Sequence, residues 1–153
     1  VAAALGLAQT EKLEQFIDLR IGIGNLFSEA ITECDYLIPQ ETPKGYLNTF
    51  WTYTLKYERD DVSWKDFRKK YVDFGGDGIY AAWKLTYQEK LMSTQAYKRI
   101  SPHYYKDLDY PDGICPIAEE LQPKLMQFVT NYGSLDEARP YVDALVKTIN
   151  HFS

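Results

Sequence analysis

The sequence contains few of the residues that define several large classes of protein. It has 2 cysteines and 2 histidines in 153 residues, and His103 and His151 share no metal-ligand spacing with Cys34 or Cys115. We therefore expect neither a structural zinc site nor a disulfide scaffold. The low cysteine content favours a reducing compartment, which predicts a cytoplasmic protein.

Basic residues and long apolar runs are also scarce. The chain carries 17 Lys and Arg against 22 Asp and Glu, a net charge of −5, and no basic stripe alternates with aromatics. Nucleic acid is therefore not an expected partner. Charges interrupt every apolar stretch well before the roughly 20 residues that a membrane span needs, so a membrane partner is not expected either.

The remaining composition is that of an ordinary folded domain, with an excess of aromatic residues. Hydrophobic residues make up 45% of the chain, and 13 Tyr, 7 Phe and 3 Trp make up 15%. A chain of this length can bury roughly 68–70% of its unfolded surface. Because the aromatic content exceeds what a minimal core requires, part of it is expected at an interface.

Apolar spacing predicts the elements of the first half of the chain. A long amphipathic helix is expected over residues 2–32, loosened near Gly22 and Gly24. A short strand over 36–38 follows, and the β-branched and aromatic run 48–57 predicts the strongest strand.

Two capping boxes predict further helices. Ser63 with Asp66 is expected to open a helix to about Phe74, and Ser134 with Glu137 is expected to open the last helix. A strand is expected over residues 79–83, paired with the strong strand of residues 48–57. The stretch 86–112 looks irregular, and a helix is expected over residues 115–125. The predicted fold is α+β, with a small antiparallel or mixed sheet packed on helices and a long N-terminal helix.

Three segments occur in an order that is typical of one enzyme family. They are residues 3–13 with Arg20, the aromatic run 49–54, and residues 113–121 with their Pro-x-Ala-Glu helix start. In this order they resemble the interdomain helix, the first small-domain strand and a C-terminal helix of the nucleotide-sugar aminotransferases named after DegT, DnrJ, EryC and StrS.

The resemblance implies that residues 1–153 are a single C-terminal small domain, with the large domain that binds pyridoxal 5'-phosphate (PLP) absent from this chain. The full-length enzyme would transfer an amino group from glutamate to a nucleotide-linked keto-sugar, in polysaccharide biosynthesis. Its partners would be the large domain and the second subunit of a homodimer. The family's Schiff-base lysine lies in the large domain, so no catalytic or cofactor-binding residue, and no metal ligand, is expected here.

Four residues are candidates for the border of the substrate site: Tyr80, Trp83, Lys84 and Tyr87. Aromatic rings can pack on the apolar faces of sugars, and a lysine ammonium can pair with a diphosphate. The structural alternative is that Tyr80 and Trp83 fill a sheet–helix interface while Lys84 is solvated. Many relatives carry histidine in this stretch and this chain does not, which indicates a divergent substrate subgroup.

Other motifs have structural explanations beside the functional ones. The turn at residues 75–78 could bind phosphate through its backbone, but a helix stop explains the glycines. Glu119 and Glu120 could act as an acid/base pair, but in the first turn of a helix acidic groups offset the helix dipole. Cys115 could be a nucleophile, or a small buried hydrophobe.

Two alternatives to the aminotransferase remain open. One is a sugar dehydratase of the same fold that uses pyridoxamine phosphate and has histidine at the lysine position, a position outside this chain. The other is a stand-alone carbohydrate- or protein-binding module that uses its aromatic surface. Neither the sugar, nor the aminated carbon, nor the oligomeric state follows from these residues.

Overall fold

The computed structural model describes residues 1–78, 80–81 and 84–153. It confirms the α+β class with a long helical N-terminus. The chain divides into two compact units, and we describe each by itself. Unit 1 contains Val1–Tyr80 and Met126–Ser153, and unit 2 contains Ala81–Leu125. Within the described ranges, none of the helices combines the length and apolar character that crossing a membrane requires.

The helices and strands are as follows in chain order. The helices are α1 (Ala2–Thr10), α2 (Leu13–Ala30), α3 (Trp64–Asp73), α4 (Lys90–Ser93), α5 (Ala96–Ile100), α6 (Pro102–Tyr105), α7 (Pro116–Leu121) and α8 (Leu135–Phe152). The strands are β1 (Leu37–Pro39), β2 (Tyr53–Tyr57), β3 (Tyr80–Ala81) and β4 (Leu125–Phe128). Short 3-10 turns cover Thr86–Gln88 and Gln122–Lys124.

The N-terminal helix breaks at a different place from the one predicted. The helical segments α1 and α2 meet at Glu11 and Lys12, whereas α2 continues through Gly22 and Gly24. The prediction of a loosened helix at these glycines was wrong because both serve close packing. A Cβ at Gly24 would overlap the ring of Phe50, and a Cβ at Gly22 would press on the Leu135 side chain. Tertiary packing thus overrides the low helix propensity of glycine.

The strongest predicted strand is also shorter than expected, because β2 starts only at Tyr53. Phe50 has φ 48, in the left-handed region, so the chain turns before it enters the sheet. The buried Thr130 hydroxyl donates to the Phe50 carbonyl at 2.6 Å, and Arg20 Nη1 donates to the Trp51 carbonyl at 2.8 Å. These tertiary hydrogen bonds fix a turn where the residue types alone favour an extended chain.

The strands form one sheet in the order β1-β2-β4-β3. The antiparallel pair β1–β2 places Leu37 opposite Tyr57. The predicted pairing of the Tyr80 strand with β2 was wrong, because β4 lies between them. The predicted helix over residues 115–125 was also too long, because α7 ends at Leu121 and Leu125 already begins β4. Pro123 lacks the N–H that a continuing helix needs.

Ser63 and Ser134 are confirmed as the N-caps of α3 and α8, whereas the Asp66 and Glu137 carboxylates accept from the Ser63 hydroxyl and the Gly133 N–H instead of the N-cap N–H groups. The Ser63 hydroxyl oxygen accepts from the Asp66 N–H at 3.2 Å, and that of Ser134 accepts from the Glu137 N–H at 3.2 Å. The glycine turn after α3 has the geometry of a helix stop, with Gly75 at φ 92.

The core of unit 1 is built from aromatic side chains. The ring of Phe27 on α2 stacks on Tyr53 of β2 at 5.4 Å between centroids, and it also contacts Phe128 of β4 at 5.3 Å. Phe67 and Tyr71 of α3 are likewise almost fully buried. Part of the aromatic excess therefore serves this core.

Candidate functional site

The described residues of unit 2 enclose an open pocket of about 520 Å³. Its polar lining consists of Lys84, Gln88, Ser93, Gln95, Asp109 and Asp112. Its remaining lining consists of Tyr87, Met92, Tyr110 and Pro111. Lys84 and Tyr87, two of the four residues predicted to border a substrate, therefore lie at one pocket. Tyr80 lies in β3, and Trp83 lies outside the described residues.

The hydroxyl of Tyr87 is engaged in a contact that organises unit 2. It donates to Glu119 Oε1 at 2.5 Å, and the Gly113 N–H donates to the same oxygen at 2.7 Å. Both hydrogen bonds lower the pKa of Glu119, and the one from Tyr87 has the larger effect. Burial, followed by the hydrogen bond to the Glu119 carboxylate, raises the pKa of Tyr87. Glu119 therefore has a structural role, and the hydrogen bond to it fixes Tyr87, one of the pocket-lining residues.

Buried Tyr97 holds the irregular part of unit 2 together. Its hydroxyl donates to the Leu108 carbonyl at 3.1 Å, and its ring packs edge-on against Tyr105 at 5.9 Å and Tyr110 at 5.7 Å. Burial raises the pKa of its hydroxyl. The tyrosine-rich stretch that looked irregular in the sequence thus forms a small aromatic core, and that core positions Tyr110 at the pocket.

Two glutamine–aspartate pairs order the polar side of the pocket. Gln88 Nε2 donates to Asp112 Oδ1 at 3.3 Å, and Gln95 Nε2 donates to Asp109 Oδ1 at 3.0 Å. The Tyr110 N–H also donates to Asp109 Oδ1, at 3.0 Å. Among the described residues, no hydrogen-bond donor contacts Oδ2 of Asp109 or Oδ2 of Asp112. Each carboxylate is therefore held by a neighbour and keeps an acceptor oxygen for a ligand.

The charge of the pocket limits what it can bind. Lys84 is the one basic residue in the described lining, and Asp109 and Asp112 oppose it. A phosphate would meet two carboxylates, so the pocket does not fit the phosphate group of PLP. The described residues also contain no group of three or more side chains suited to hold a metal ion. Ligands with hydroxyl groups suit this lining better, because carboxylate and amide oxygens accept hydrogen bonds from hydroxyls.

Sequence reasoning missed five of the six polar pocket residues: Gln88, Ser93, Gln95, Asp109 and Asp112. The paired residues lie 24 and 14 positions apart, in a stretch without helical or strand periodicity. No spacing rule connects them, because the folding of unit 2 brings them together. The one local signal was the turn composition at Pro111 and Gly113, which marks a loop but no site.

Unit 1 presents apolar surface of the kind expected at an interface. Helix α1 has no buried residue, and Leu5 and Leu7 are 62% and 63% exposed. Trp51 is 68% exposed beside the turn that Arg20 and Thr130 hold. Helix α1 and Trp51 therefore expose large apolar side chains to the surface of unit 1.

The fold is that of one portion of larger enzymes of known structure. A DegT/DnrJ/EryC1/StrS aminotransferase from Brucella abortus matches with a TM-score of 0.65 and 18% identity, over 95% of this chain and 33% of that chain. The E. coli GDP-4-keto-6-deoxy-D-mannose-3-dehydratase, solved with bound hydrated PLP, matches with a TM-score of 0.64 and 16% identity, over 93% of this chain and 34% of that chain.

This chain therefore spans about a third of the length of either solved enzyme. At such identities the likeness establishes a shared fold. No family model and no curated protein sequence matches the chain.

Proposed function

We propose that this chain is the C-terminal small domain of a PLP-dependent aminotransferase that acts on a nucleotide-linked keto-sugar. The observation that carries the proposal is the coverage: nearly the whole chain matches one third of two sugar-processing enzymes. The three family-like segments support the same function independently, since they were identified from residue types alone.

The exposed apolar residues of unit 1 support a large domain and a second subunit as partners. Helix α1 buries none of its own residues, although Leu5 and Leu7 offer apolar surface to a partner. At roughly 25 cal/mol per Å², covering such side chains is a substantial driving force for association. We therefore propose that α1 packs on the large domain of a cytoplasmic homodimer.

Within this proposal the chain forms one wall of the substrate cleft. Tyr80, Trp83, Lys84 and Tyr87 would contact the sugar. The diphosphate would lie outside the pocket of unit 2, because Asp109 and Asp112 oppose the charge of Lys84 there. Because the pocket of unit 2 does not fit a phosphate-bearing cofactor, we propose that the large domain binds PLP and carries the reacting lysine. This chain then contributes binding and orientation of the substrate.

The test is to express the complete reading frame that includes this chain and to measure three properties of the product. We expect a lysine-bearing large domain, bound PLP detected by its absorbance, and amino transfer from glutamate to a nucleotide-linked keto-sugar. Replacing that lysine should abolish transfer while the fold persists. A complete reading frame that neither contains such a domain nor binds PLP would contradict the proposal.

The sugar dehydratase is the second candidate, and the match to the E. coli dehydratase favours it. The same experiment separates the two. Histidine at the lysine position, with loss of a sugar hydroxyl and no amination of product, would assign the dehydratase.

A stand-alone carbohydrate-binding module is the third candidate, favoured by a pocket that lies wholly in unit 2. Calorimetry of this 153-residue chain with simple glycans separates it from the other two. Micromolar binding, about −8 kcal/mol, would assign the module, because one wall of a cleft should not reach that affinity.

A further inference from the structure

The pocket of unit 2 combines features that favour one class of ligand. We infer that it binds an uncharged sugar ring, with Asp109 and Asp112 accepting hydrogen bonds from ring hydroxyls, and that it selects against phosphorylated groups. The choice of a sugar as the ligand rests on the proposed function. The selection against phosphate rests on the pocket charges alone.

The carboxylates are arranged for hydroxyl recognition. Gln88 holds Asp112 and Gln95 holds Asp109, each through Oδ1, so neither carboxylate has to be ordered by the ligand. An ionised carboxylate accepts hydrogen bonds that are roughly twice as strong as neutral ones. Both carboxylates line the one pocket, so each is available to accept from a hydroxyl of a bound sugar.

The aromatic side chains supply the complementary apolar contact. Tyr87 and Tyr110 both line the pocket, and both are positioned by contacts elsewhere. The Tyr87 hydroxyl is bound to Glu119, and the Tyr110 ring packs on Tyr97. Rings fixed in this way can pack against the C–H faces of a sugar with little further loss of side-chain freedom.

The charge balance sets the selectivity. With Lys84 opposed by two carboxylates, the described lining carries a net charge of −1. Replacing both carboxylates by amides would leave Lys84 and a charge of +1. The wild-type pocket should therefore prefer a neutral glycoside to a sugar phosphate, and the doubly neutralised pocket should prefer the phosphate.

The experiment is a titration of the 153-residue chain, observed through its backbone amide NMR signals. The probes are methyl glycosides of glucose, mannose and galactose, and glucose 1-phosphate. We expect at least one glycoside to shift the signals of Gln88, Gln95 and Tyr110 with a dissociation constant on the order of millimolar. Glucose 1-phosphate should bind more weakly at the same residues.

Asp109→Asn and Asp112→Asn should each weaken glycoside binding about five-fold, because a charged acceptor is lost. The matched control is Asp107→Asn, an exposed aspartate outside the pocket lining, which should have no effect. The double variant should invert the preference toward glucose 1-phosphate. The NMR spectrum of each variant reports directly whether it is folded.

Absence of glycoside shifts at the pocket, equal effects of Asp107→Asn and Asp109→Asn, or tighter binding of glucose 1-phosphate by the wild-type chain would overturn the inference. None of these results affects the test of the proposed function, which reads PLP binding and amino transfer in the complete reading frame. Conversely, glycoside binding here would stand even if no PLP domain exists.

Discussion

The packing of Phe50 on Gly24 can be tested by replacing Gly24 with alanine. Two opposing effects then decide whether the free energy of unfolding rises or falls. Alanine in the middle of α2 should gain about 1 kcal/mol from helix propensity. However, its Cβ would overlap Cγ, Cδ2 and Cε2 of Phe50, so the ring as a whole has to move. Because the Phe50 carbonyl accepts from Thr130 at 2.6 Å, the backbone cannot easily follow.

The expected magnitude follows from these contacts. Overpacking of this kind costs about 1–3 kcal/mol. Displacing the ring also weakens its contact with Tyr53, at 5.6 Å between centroids, which contributes about 0.5–1.5 kcal/mol. After the gain in propensity, Gly24→Ala should lower the free energy of unfolding by about 1–3 kcal/mol.

The assay is urea unfolding of the 153-residue chain, followed by circular dichroism. Gly6→Ala is the matched control, since no atom lies within 4 Å of its added Cβ, and it should stabilise α1 by up to about 1 kcal/mol. In a Phe50→Ala background Gly24→Ala should become neutral or stabilising. A single Gly24→Ala variant as stable as the wild type would refute the packing argument.

Three further predictions concern the turn, unit 2 and the buried tyrosines. Thr130→Val should lower the unfolding free energy by about 1–3 kcal/mol, because the Phe50 and Trp51 carbonyls lose a buried donor. Thr148→Val should cost less in the same urea assay, because its hydroxyl donates within α8. Glu119→Ala should speed proteolysis within Ala81–Leu125, since Tyr87 and Gly113 lose their acceptor, whereas Glu120→Ala should leave the cleavage rate unchanged. Burial raises the pKa of Tyr57 from 10.0 to about 12. Between these two pH values the unfolded chain loses the Tyr57 proton while the folded chain keeps it. The contribution of Tyr57 to the free energy of unfolding is therefore complete below pH 10 and is lost as the pH rises toward 12. Tyr57→Phe should flatten the measured fall of unfolding free energy over that range, and an unchanged slope would contradict this assignment.

The residue pattern was sufficient for the features that depend on local chemistry. The hydroxyls of Ser63 and Ser134 cap α3 and α8 as predicted, because a cap requires only a side chain and an N–H three residues away. The α+β class and the long helical N-terminus could be predicted as well, because apolar spacing is also a local feature of the sequence. The family resemblance likewise agreed with the fold that the structural comparison found.

Tertiary contacts decided the rest, since they join residues that the sequence separates. Phe50 leaves the extended conformation because Thr130, 80 positions away, binds its carbonyl. The strand β4 separates β2 from β3, an order that local propensity does not encode. The pocket carboxylates become a pair only when Gln88 and Gln95 reach across unit 2, so local sequence predicted the elements, and long-range packing determined which side chains share a site.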